Sequence, residues 1–104
     1  MTLYSEMTRD RLERELKQLQ ELGQKAFDEQ HWSEYEVHMK KWYLAHSYLI
    51  KDTVQIQLGR TYRIAEEHDR ITVTRLEGVM AWGIRESTAR ETAVPIAMLE
   101  EKDI

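Results

Sequence analysis

Residues 70–85 read "RITVTRLEGVMAWGIR", and the reading of this stretch decides the fold. Ile71 and Val73 alternate with Thr72 and Thr74; Met80, Trp82 and Ile84 then alternate with Val79, Ala81 and Gly83. A period of two marks a pleated strand, whose successive side chains point to opposite faces. The "EG" at 77–78 is a turn signal between the two runs, so the stretch predicts a β-hairpin.

The same period continues on both sides. Upstream, "RTYRIA" alternates Tyr62 and Ile64 with Thr61 and Arg63, and "EEHD" at 66–69 supplies a turn. Downstream, "ESTARET" at 86–92 reads as a turn before the apolar run "AVPIAML", which Pro95 confines to an edge or a strand start. Several short strands with tight turns predict a small barrel or a strongly bent antiparallel sheet. Such a barrel has few large residues, so at least one of Met80, Trp82 and Ile84 is expected in its core.

Before Lys51 the period is different. Leu12, Leu16, Leu19, Gly23, Ala26 and Phe27 share one face of a 3.6-residue helix, predicted over about 9–29. Thr8 is its expected N-cap, with Met7 placed to staple on Leu12. Gly23 in mid-stripe suggests close approach of another helix. Ser33 and Glu36 spell a capping box for a second helix, with Trp32 placed to pack on Val37. The inner face of that helix is expected to carry Tyr35, Met39, Trp42, His46 and Leu49, and the short joint predicts an antiparallel pair. The expectation is an α+β chain, with a helical hairpin over 1–52 and a small β-barrel over 53–104. Neither half is large enough to stand on its own core, so the two are expected to pack as one unit. The acidic "EEKDI" end is expected to fray.

Composition narrows the function. The 104 residues contain no cysteine, which removes disulfide scaffolds, thiolate nucleophiles and cysteine-bound metal clusters. No apolar run approaches the ~20 residues of a membrane span. The N-terminal stretch lacks the apolar core of a secretory signal, so a cytoplasmic protein is expected. The net charge of −4 divides evenly between the halves and discourages nonspecific attraction to nucleic acid. No phosphate loop, nucleophile elbow, dinucleotide fingerprint or zinc helix motif is present. Glu34 and His38 lie four apart but lack further ligands, so no metal, no cofactor and no enzymatic activity is expected. His46 lies on the apolar stripe and is read as a half-buried imidazole hydrogen-bonded to a tyrosine.

The stretches "YSEMT" (4–8), "AHSYLI" (45–50), "GRTYRI" (59–64), "LEGVMAWGIR" (76–85) and "AVPIAMLEEK" (93–102) resemble the YfhH-like family of small proteins from bacilli and relatives. That resemblance spans essentially the whole chain. It implies a helical hairpin followed by a Src-homology-3-like small antiparallel β-barrel, and almost nothing about activity. Family members carry asparagine where this chain has Glu77, so the turn is expected to be type II, with positive φ at Gly78 alone.

Barrels of this shape often bind partners through exposed aromatics. Tyr62 and Trp82 are therefore the candidate stacking residues, with Arg60, Arg63, Arg75 and Arg85 as their cationic neighbours. The resulting expectation is a non-enzymatic binding or regulatory module that contacts protein or nucleic acid and no membrane. The alternative is a structural homo-oligomer, such as a homodimer, assembled through the helical hairpin.

Overall fold

A computed structural model describes residues 3–101. Of the acidic end expected to fray, Glu100 pairs with Arg63 in a strand and Glu101 pairs with Arg60, while residues 102–104 lie outside the described residues. The chain is α+β and divides into two compact units, Met1–Asp52 and Thr53–Ile104.

In the first unit a short 3-10 turn, Tyr4–Glu6, precedes helix α1 (Arg9–Asp28) and helix α2 (Trp32–Ile50). Thr8 caps α1, its Oγ1 accepting the Arg11 N–H at 3.2 Å. Leu12, Leu19, Gly23 and Ala26 are buried along one stripe, as the 3.6-residue period predicts. α2 does pass close to Gly23: a Cβ built there would stand 3.2 Å from Met39 Sδ. Phe27, expected in that stripe, is 48% exposed instead.

The start of α2 differs from its capping-box signature. α1 ends in a Schellman motif: Gln30 takes φ 59°, its N–H donates to Phe27 C=O at 3.1 Å, and the His31 N–H donates to Ala26 C=O at 2.8 Å. The His31 carbonyl then accepts the Tyr35 N–H at 3.0 Å, the first bond of α2. Helix begins before Ser33 can cap it, with His31 at the N-cap position. Trp32 packs edge-on against Phe27, ring centroids 5.3 Å apart, while Val37, its expected partner, is half exposed. Further along α2, Ala45 and Ser47 are fully buried, and Ser47 Oγ donates to Tyr43 C=O at 2.8 Å.

The second unit is one antiparallel sheet. Its strands are β1 (Thr61–Ile64), β2 (Arg70–Glu77), β3 (Met80–Arg85), β4 (Glu91–Pro95) and β5 (Leu99–Glu100), in the order β4-β3-β2-β1-β5. β4 and β5 are the two edges and do not pair, so the sheet is open and the closed barrel expected from the sequence is not formed. It nevertheless curls. Only the 3-10 turn Ile96–Met98 separates β4 from β5, a span of roughly 8 Å at 3-10 rise. The edges of a flat five-strand sheet would stand roughly 19 Å apart at ~4.8 Å per strand. Pro95 ends its edge strand rather than starting one, consistent with its missing N–H.

Curling leaves a narrow interior, and this reverses the expectation for β3. Val79, Ala81 and Gly83 are buried, whereas Met80 and Trp82 are half-buried and Ile84 is 39% exposed. The large side chains that fill the interior come from the other strands and the 3-10 turn: Tyr62, Ile64, Ile71, Val73, Val94 and Ile96. Between Val73 and Arg75 the register against β3 shifts, leaving Thr74 as an extra residue, a β-bulge. The β2–β3 turn also differs from type II. Glu77 pairs with Met80, so Gly78 (φ 58°) is the first of two central residues, as in a type II′ hairpin. That turn matches the twist of its strands.

Candidate functional site

The residue pattern places two kinds of side chain on the outward face of β3. Met80, Trp82 and Ile84 point that way because their neighbours 79, 81 and 83 face the core. Across the ladder to β4, Met80 stands opposite Pro95 and Trp82 opposite Ala93. The bulge at Thr74 puts Arg75 opposite Trp82, and the guanidinium lies over the indole, 4.5 Å from the ring centroid. Glu77 at 2.9 Å and Glu91 at 3.4 Å hold that guanidinium in place. The result is a half-exposed tryptophan in an apolar strip, with one cation that is already neutralised.

The other expected site residues do not join it. Tyr62 is 2% exposed, a core residue whose hydroxyl accepts the Gln57 N–H at 3.0 Å. It faces the interior while Trp82 faces outward, so the two rings form no common stacking surface. Arg60 lies over the Tyr62 ring at 5.6 Å and pairs with Glu101 at 3.3 Å. Arg63 is exposed on β1 and borders a shallow depression with His68, Asp69 and Ser87. Arg85, more buried, binds Glu67 at 2.6 Å and Asp69 at 3.2 Å.

Sequence reasoning missed Asp69 and Ser87. Ser87 Oγ donates to Asp69 at 2.7 Å, and the Ser87 and Arg70 N–H groups donate to the same carboxylate at 3.1 and 2.8 Å. Its pKa falls to about 2, mainly through the Ser87 hydroxyl. Desolvation opposes that shift, and the Arg70 N–H, the Arg85 guanidinium and the Ser87 N–H add to it. The cluster ties the β1–β2 loop to the β3–β4 loop; nothing in "EEHD" or "ESTARET" signals a contact 18 residues apart. It offers no free base beside the serine, so its chemistry is that of a clamp.

In the helical unit His46 differs from expectation. Its Nδ1 is buried without a hydrogen-bond partner, as are His38 Nδ1 and Trp42 Nε1, and the Trp42 ring meets His46 edge-on at 4.8 Å. Burial lowers the His46 pKa below its ordinary value. Glu34 lies 3.5 Å from His31. Among the described residues no three metal-ligating side chains converge, and no helix is long and apolar enough to cross a membrane.

The comparisons with known proteins agree with the resemblance read from the sequence. A family model described as "Protein of unknown function (DUF1811)" matches residues 2–100. The chain is also 39% identical over 103 residues to the uncharacterized protein YfhH of Bacillus subtilis (strain 168), covering 96% of each chain. Because both matches run through the helical hairpin and the sheet alike, the chain belongs to the DUF1811 family, of YfhH-like proteins.

Proposed function

We propose that the chain is a non-enzymatic protein-interaction module, and that the outer face of β3 receives an extended apolar segment of a partner protein. The observation that carries this reading is Trp82, a half-exposed indole set beside Met80, Ala93 and Pro95. Tryptophan in such a setting is the side chain most often found to dominate a protein interface. Arg60, Arg75 and Arg85 are each paired with a carboxylate, which favours a protein over a nucleic acid as partner. The strand order, together with the three-residue 3-10 turn that returns the chain from one edge to the other, supports a Src-homology-3-like arrangement of a curled but open sheet as the finer description.

The test compares wild type with Trp82→Ala, first checked for an unchanged circular dichroism spectrum. Each is used to capture partners from native lysate, and the segment recovered is then titrated with both chains. Loss of about tenfold or more in affinity for Trp82→Ala is expected, the size of a hot-spot truncation. Equal affinity for both chains removes Trp82 from the site. Recovery of nucleic acid in place of a protein segment, with affinity that falls steeply with salt, overturns the reading.

A further inference from the structure

We infer that the closed end of the helical hairpin is a second docking surface, built for a lysine- or arginine-rich segment of a partner protein. Three rings meet there: Phe27 and Trp32 edge-on at 5.3 Å, and Phe27 and Tyr35 at 5.5 Å. Phe27 is 48% exposed and Trp32 52% exposed. The Schellman motif at Gln30 and His31 fixes the turn that joins them, so the cluster is held by backbone hydrogen bonds. Aromatic rings, with two side-chain torsions each, lose little freedom when a partner covers them.

The charge around the rings identifies the occupant. Between Glu21 and His38 stand five carboxylates, Glu21, Asp28, Glu29, Glu34 and Glu36, against Lys25 alone. That imbalance equals the net charge of the whole chain, −4. Two of these carboxylates face the same side chain: His31 Nδ1 lies 3.6 Å from Glu29 and 3.5 Å from Glu34. An aromatic cluster within an acidic stretch of chain suits a cation twice over, through the negative ring faces and through ion pairing. The same charge repels phosphate backbones and anionic membranes. It also opposes a second copy, whose own surface would bring five like charges into the contact. A basic protein segment is the occupant that every one of these features fits.

The test uses the full chain and two short fluorescent peptides, one alternating arginine with leucine, the other glutamate with leucine. Anisotropy titration is expected to show binding of the basic peptide only. Trp32→Ala and the double change Glu29→Gln/Glu34→Gln should each weaken it about tenfold, while Gln18→Ala, exposed on α1 outside the acidic stretch, leaves it unchanged. The carboxylate pair is exposed, so that variant tests the proposal even if Trp32→Ala loses helicity. Undiminished binding by Trp32→Ala with its helix intact overturns the proposal, because net charge alone then explains the attraction; undiminished binding by the carboxylate variant overturns it too, because the acidic side chains at the turn then take no part. No binding by wild type overturns it as well. A dimer in sedimentation that Trp32→Ala disperses overturns it in favour of a second copy.

Discussion

Gly83 sits opposite Val73 in the β2–β3 ladder. A Cβ built on it would overlap the Thr72 carbonyl oxygen and stand 2.8 Å from Ile71 Cγ1. The first obstacle is backbone in a hydrogen-bonded ladder, which cannot rotate aside as a side chain could. Gly83→Ala is therefore expected to cost about 3 kcal/mol, the upper range for overpacking. Urea denaturation measures it; a loss below about 1 kcal/mol would mean that the strands separate more easily than this geometry implies. Ala89 presents the opposite case, with φ 57° in the β3–β4 loop. Ala89→Gly should stabilise by about 0.5–1 kcal/mol by relieving that conformation. These two positions show what the sequence conceals at this scale. Alternation in "VMAWGIR" divides β3 into two faces but does not say which one turns inward. Size suggested Met80, Trp82 and Ile84, yet the curled sheet has room there only for alanine, glycine and valine. Tyr62 and Trp82 carry equally strong aromatic signals, and only the burial of their strands separates a core ring from a surface one.

Whole elements were more legible. The change from a 3.6-residue to a 2-residue period locates both helices, the hairpin at 70–85 and the edge character of the run at Pro95, because periodicity reports burial directly. The joint between the helices was misread, since S-x-x-E at 33–36 signals a cap only if the preceding chain arrives extended. Here it arrives from a Schellman turn, with His31 already committed to both helices. No glycine marks that turn: Gln30 occupies the left-handed position at φ 59° that glycine usually fills. Gln30→Gly should therefore raise stability by about 1 kcal/mol, the usual penalty for a side chain in that conformation. A rise in the thermal midpoint with unchanged helical ellipticity would bear this out. A fall would show that the Gln30 side chain makes contacts that outweigh the strain.

At the scale of the whole molecule, two buried or clamped groups set how stability follows pH, one in each unit. Burial holds the His46 pKa below its ordinary 6.5, so the unfolded chain takes up that proton more readily than the folded one. Its contribution is complete above pH 6.5 and declines as pH falls towards the folded value. Asp69 is lowered from 3.8 to about 2, so the clamp's contribution is present above pH 3.8 and disappears as pH falls through about 2. Both signs run the same way: stability is greatest near neutrality and decreases with acid in two steps. Urea denaturation of the full chain from pH 8 to pH 2 should resolve them. His46→Gln should flatten the profile between pH 8 and 5 while leaving the lower step. Asp69→Asn should be less stable than wild type at pH 7 and lose the lower step. An upper step that survives His46→Gln would show that burial of His46 is not its source.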